Sequence, residues 1–258
     1  MNFNYRIKKI DVKFIYTLLF CILFFSCGPD TGLKYNWKDY IEKGGEMFGD
    51  FRYKEESETI RIIRYHGKGG MVIIPDKINE KPVTEIGQHA FQETKLIGII
   101  IPNSVTSIDL YAFKNNKLAN IIIPEKIASI GLEAFCNNQL TSIIIPDSIT
   151  RLEINTFSYN KLTELIIPNS VTFIGSGVFF VNKLTNVTIP DSVKFIGGNA
   201  FVYNHLTSIT IGESVNIGKE GYNPFAFGEG FEEVYNTGNK QAGIYTRPDT
   251  ESSIWTRQ

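Results

Sequence analysis

The chain has no excess of either charge, few cysteines and no apolar run long enough to cross a bilayer, and each shortage removes a class of function. Its 26 Lys and Arg against 27 Asp and Glu leave a formal net charge of −1, whereas a nucleic-acid footprint needs a basic excess gathered on one face. Three cysteines in 258 residues are too few and too scattered for a disulfide framework or a zinc site. The longest apolar run, Phe14 to Phe25, has 12 residues; a spanning helix wants about 20. Behind the basic start of Arg6, Lys8, Lys9 and Lys13, that run suits the core of a signal peptide over residues 1–26. No cofactor is expected. His66 to Gly70 is glycine-rich but lacks the Gly-Lys-Ser/Thr ending of a phosphate loop and leads into a strand instead of a helix.

Repetition is what the chain has in abundance. Prolines at 102, 124, 146, 168 and 190 fall 22 residues apart, with Gly212 in the next slot. Phe91, Phe113, Phe135, Phe157, Phe179 and Phe201 keep the same period, and so do Asn116, Asn138, Asn160, Asn182 and Asn204. A fixed period of this length marks a solenoid whose coils are stable only when stacked and capped. Within a coil, the β-branched run Ile99 to Ile101 stopped by Pro102 predicts a strand of 4 to 5 residues with Ile99 and Ile101 on one face and Ile100 on the other. Val105 to Ile108 predicts a second short strand. Gly131, Gly175 and Gly197 then share a slot read as an easy bend before the Ala-Phe turn. The repeated Phe is the largest core residue. Asn at every turn reads as a ladder that satisfies backbone groups of the adjacent coil, with a ligand-binding row as the minor reading.

The fold expected is therefore a β-rich solenoid with short parallel strands. Residues 27–50, polar and glycine-bearing, read as a tether with a short helical turn around Trp37 to Ile41. Residues 51–95 read as a capping hairpin and first repeat, and 96–205 as five regular repeats. Residues 206–258 read as a degenerate last coil, in which Tyr222 to Phe231 replaces the Ala-Phe turn, followed by a closing hairpin around Pro248 and Asp249.

The pattern Leu-x-x-Ile-x-Ile-Pro-x-Ser-Val-x-x-Ile-Gly-x-x-Ala-Phe-x-x-Asn resembles the BspA-type, or treponemal-type, bacterial leucine-rich repeat over residues 51 to 258. The lead-in GKGGMVIIPDKINEKPVTEIGQHAF resembles the opening coil of that family, and the tail AGIYTRPDTESSIWTRQ the end of spirochaete members. Many members carry Cys where this chain has its five Asn, so no thiol-based property carries over. The resemblance implies a curved, right-handed leucine-rich-repeat coil, cell-surface display and adhesion to host matrix proteins or other bacteria, without catalysis. Leu23-Phe24-Phe25-Ser26-Cys27 resembles the looser spirochaete lipobox, which implies lipidation at Cys27 and an outer-membrane or cell-surface location. Simple secretion and a signal anchor are the alternatives.

Candidate partner residues point outward from the strands. Ile100, Ile122, Ile144 and Ile166 stand two before each proline; they are either an apolar docking strip or plain strand formers. A polar rim four before each proline includes Glu164 and Asn186, while Arg151, Phe173 and Phe195 share a slot as an aromatic candidate. An acid–base or nucleophile pair at matched outward slots is missing, since those slots hold Glu164 alone. A carbohydrate-active enzyme is thus the distant third reading. An adhesin comes first, with an envelope scaffold binding a partner of the same cell as the alternative, and a monomer is expected.

Overall fold

The computed structural model describes residues 42–218 and 226–258. The signal peptide, Cys27 and the turn expected around Trp37 lie outside the described residues. Along the chain run strands β1 (Glu46–Phe48), β2 (Phe51–Glu56), β3 (Thr59–Tyr65), β4 (Gly70–Ile73), β5 (Lys77–Ile78), β6 (Lys81–Ile86), β7 (Leu96–Ile100), β8 (Ser107–Ile108) and β9 (Ser129–Ile130). After them come β10 (Arg151–Leu152), β11 (Phe173–Ile174), β12 (Asn186–Thr188), β13 (Phe195–Ile196), β14 (Ser208–Ile211) and β15 (Asn216–Ile217). Helix α1 (Phe231–Thr237) and strands β16 (Gly243–Thr246) and β17 (Thr256–Arg257) close the chain.

The molecule is a β-solenoid of 22-residue coils. Equivalent residues of successive coils pair in register, as in Ser107 with Ser129 and Phe173 with Phe195, always in parallel. This second strand of each coil is only 2 residues long. The first strand forms regular ladders at the two ends, β4 with β7 and β12 with β14. In the middle coils it thins to a single bridge, Ile144 with Ile166. A third set of bonds runs along the turns: the N–H of Phe113, Phe135 and Phe157 donates to the carbonyl of Ala134, Thr156 and Val178 at 2.8–3.0 Å.

Phenylalanine rings pile along the axis of the stack. Phe91, Phe113, Phe135, Phe157, Phe179 and Phe201 are all fully buried. Neighbouring centroids lie 5.2–5.9 Å apart. Each ring is held by left-handed residues two places before and two places after it. The first slot holds His89, Tyr111, Glu133, Asn155, Gly177 and Asn199, and the second Glu93, Asn115, Asn137, Tyr159, Val181 and Tyr203, all with φ between 50° and 65°. Asn and Gly tolerate that region; Val181, β-branched, is strained there. The glycines of the Gly131 slot have no such φ. They are small for a different reason from the bend read in the sequence. A Cβ on Gly131 would lie 2.4 Å from the Leu110 nitrogen, and one on Gly197 2.4 Å from that of Ser176, so at these two positions the neighbouring coil leaves no room for a side chain.

Asparagine ties each coil to the one before it. Asn138 accepts from the N–H of Leu118 at 3.1 Å and donates to the carbonyls of Phe113 at 3.0 Å and Phe135 at 3.1 Å. Asn116, Asn160, Asn182 and Asn204 repeat the arrangement, with Oδ1 on Leu96, Leu140, Leu162 and Leu184. The amide has both the donor and the acceptor that this position requires, so the row is consumed by backbone.

Both ends of the stack are closed by single-copy structure. At the start, β1, β2 and β3 form an antiparallel meander, and β3 joins β6 in parallel. The stretch read as a tether to residue 50 therefore ends in a strand, β1, which pairs with β2. Tyr65 stacks on Phe91 at 5.4 Å, extending the ring pile into the cap, and Phe51 packs tilted against Tyr65 at 5.4 Å. Arg61 reaches Asp109, two strands along the stack, at 3.0 Å.

At the far end the Ala-Phe turn falls late, inside the aromatic stretch from Tyr222 to Phe231. The pair is Ala226-Phe227, four residues late by the period; Phe227 stacks on Phe201 at 4.9 Å, and the N–H of Phe201 donates to Ala226. Then α1, absent from the sequence reading, packs Phe231 and Tyr235 against Tyr245, with Trp255 against Phe231. The expected hairpin is present as β16 with β17, and β16 pairs antiparallel with β14 to cover the last strand.

One cap residue makes stability depend on pH. Glu232 in α1 is 6% exposed and accepts from the N–H of Ala226 at 2.5 Å and Phe227 at 3.0 Å. Its other oxygen, Oε2, has no hydrogen-bond partner among the described residues. Burial raises its pKa from the ordinary 4.5 to about 7, against the lowering effect of those N–H groups. The folded state thus favours the protonated acid: stability is full below pH 4.5 and falls as pH rises through about 7. Glu232→Gln is expected to raise stability by on the order of 2 kcal/mol at pH 8 and to change little at pH 4. Thermal midpoints across that range check it, and parallel pH profiles for the two proteins would refute it.

Candidate protein-docking face

Alternation along the first strand separates an inner from an outer isoleucine row. Ile121, Ile123, Ile143 and Ile145 are 4–9% exposed, whereas Ile122, Ile144 and Ile166 are 78–84% exposed. Ile73 at 64% and Ile100 at 54% extend the outer row towards the first coils, and Thr188 and Thr210 continue it in the last ones. Ile73 pairs with Ile100 and Ile144 with Ile166, so the outer side chains line up coil over coil. Beside Ile144 and Ile166 lies an open groove of about 910 Å³, walled by Pro146, Pro168, Glu125, Asp147 and Asn169. On the polar rim, Asn120, Ser142, Glu164 and Asn186 are exposed, and Met71 overlies the position of Gly98.

The aromatic candidates form a separate ladder on the second strands. The Arg151 guanidinium lies 3.9 Å above the Phe173 ring, and Phe173 stacks on Phe195 at 5.1 Å. Arg151 also pairs with Glu153 at 3.1 Å. Both rings are half-buried, and the Phe195 ring lies against Gly218, so this ladder covers the edge of the core and engages its own neighbours. Tyr159, Phe180 and Tyr203 make another row, with edge contacts at 5.6 and 5.1 Å; burial pushes the Tyr159 phenol up from its ordinary pKa. Among the described residues no cluster of three or more His, Cys, Asp or Glu is placed to hold a metal ion.

Two charged rows frame the isoleucines and escaped the sequence reading. Asp76, Glu125, Asp147, Asp191 and Glu213 each follow the proline slot directly, and all are exposed. Lys68, Lys95, Lys117, Lys161 and Lys183 stand seven places before it, with Gln139 and His205 in the remaining coils, and these too are exposed. The signal was the same 22-residue period applied to charge, hidden by a net charge near zero.

Residues 84–207 match the BspA type leucine rich repeat region in 6 copies. A leucine-rich repeat protein of T. pallidum, TpLRR, is 33% identical over 61% of this chain and 77% of that one, with a TM-score of 0.56. The chain belongs to the BspA-type leucine-rich repeat family. The pneumococcal vaccine antigen PcpA shares the fold, at 24% identity and a TM-score of 0.55 over 67% of this chain; the aligned part spans about half of that antigen, 51%. No curated protein matches. The leucine-rich repeat solenoid is a scaffold for protein interaction, and on this BspA-type chain it exposes the outer isoleucine row.

Proposed function

We propose that this protein is an exported envelope lipoprotein that binds another protein through its outer isoleucine row. The carrying observation is the row itself: large apolar side chains held 54–84% in water, coil after coil, beside a groove. Contiguous apolar surface of this kind is rare on monomeric proteins and marks interaction sites. Adhesion to host matrix proteins or to neighbouring cells fits a family of surface-displayed repeats; a partner within the same envelope is the alternative. Ile122→Lys combined with Ile144→Lys places two charges in the row without touching the core, and binding to a panel of matrix proteins is expected to fall at least about tenfold. Unchanged binding in the folded double variant would remove the row from consideration.

The anchor rests on the lipobox-like stretch ending at Cys27, which lies outside the described residues. Metabolic palmitate labelling is expected in the full chain and should disappear in Cys27→Ala. Labelling that persists would assign the lipid elsewhere.

A further inference from the structure

Wherever a coil carries both charges its outer face reads in one direction: lysine edge, outer strand residue, acidic edge. Lys117, Ile122 and Glu125 set the order, and Lys183, Thr188 and Asp191 repeat it three coils on. Because the coils are parallel and in register, the lysines fall on one side of the whole stack and the acids on the other. We propose that this face pairs with the same face of a second copy, about a two-fold axis that lies in the interface and runs along the stack. The inference rests on the reading of the isoleucine row as a docking face and names its occupant.

The charge order selects the axis. A two-fold running along the stack turns each coil end for end against the same coil of the partner copy, so the lysine edge meets the acidic edge. Lys117 then meets Glu125, Lys183 meets Asp191, His205 meets Glu213 and Gln139 meets Asp147, each contact occurring twice by symmetry. A two-fold running along the strands would instead set lysine against lysine and acid against acid. Between the edges, the isoleucine row of one copy lies beside that of the other, over the smaller rim residues Asn120 and Ser142. Like charges brought together across an interface are strongly unfavourable, so the two rows permit one orientation and reject its reverse.

The test uses the full chain in mild detergent. Isotope-labelled and unlabelled copies are mixed and treated with a carbodiimide, which joins only touching amines and carboxylates. Mixed-isotope peptides linking Lys117 to Glu125 and Lys183 to Asp191 are expected; links found only within one isotope, or none at these sites, would overturn the pairing. Charge exchange supplies the second arm. Lys117→Glu with Lys183→Glu should weaken self-association at least about tenfold, and so should Glu125→Lys with Asp191→Lys. Mixing those two variants should restore association, since at positions 117, 125, 183 and 191 an acidic set then meets a basic one, and this recovery also shows that both variants fold. A chain that stays single at micromolar concentration, or variants that associate as well as the parent, would sink the inference. Loss of matrix-protein binding in the isoleucine double variant is read separately and would still support the docking face.

Discussion

Replacing Phe157 with alanine is expected to lower stability by about 3 to 5 kcal/mol. For a domain of this size that moves the thermal midpoint by roughly 6 to 20 °C. The ring is fully buried and lies 5.6 Å from Phe135 and 5.9 Å from Phe179. Neither neighbour can move into the space, because its turn is fastened by asparagine: Asn138 donates to the Phe135 carbonyl and Asn204 to that of Phe179. The cavity therefore stays open in the middle of the stack, where each coil depends on both neighbours. Circular dichroism melts of parent and variant measure it, and an unchanged midpoint would contradict the assignment of the ring pile as the core.

Asn160→Ala is expected to be equally damaging for a different reason. Asn160 accepts from Leu140 at 3.0 Å and donates to the carbonyls of Phe135, Phe157 and Ser158 at 3.0, 3.1 and 3.2 Å. Alanine leaves the Leu140 N–H and these carbonyls buried with fewer partners, at about 1 to 3 kcal/mol for each group left unsatisfied. The total loss is roughly 3 to 6 kcal/mol. Asn160→Asp should be at least as harmful at pH 7, since a carboxylate cannot donate and would face three carbonyl oxygens. Urea unfolding gives the magnitude, and amide exchange locates it: the Leu140 N–H should lose protection first. A variant as stable as the parent would mean that the row does not tie the coils.

The repeats were legible because one physical requirement is printed many times. A single Pro-Asp or Ala-Phe pair says little, but the same pair at the same offset in coil after coil fixes the strand end, the core ring and the turn. That is why the inward Ile121 and Ile123 and the outward Ile122 separated correctly from alternation alone. What occurs once carried no such signal. The turn at Ala226-Phe227 was missed because extra residues shift it off the period, and α1 because it is 7 residues long and begins at Gly230 without a side-chain cap. β1 was read as tether for the same reason, since a strand of 3 residues between glycines has no pattern to show. The glycine slot was placed correctly and explained wrongly: a close approach between coils is a tertiary fact, invisible within any one coil. The charged rows were present in the period from the start, but composition averaged them away.

The arrangement of the outer isoleucines coil over coil underlies both the fold and the docking face, and distances between spin labels test it most directly. Labels introduced through an unnatural amino acid at position 73 and, in turn, at 144, 166, 188 and 210, diluted with unlabelled chain, sample separations of three to six coils. With parallel coils about 4.8 Å apart, the distance should grow by equal steps from about 14 Å to about 29 Å. Uneven steps, or a distance that stops growing with coil number, would contradict the stack and the face built on it.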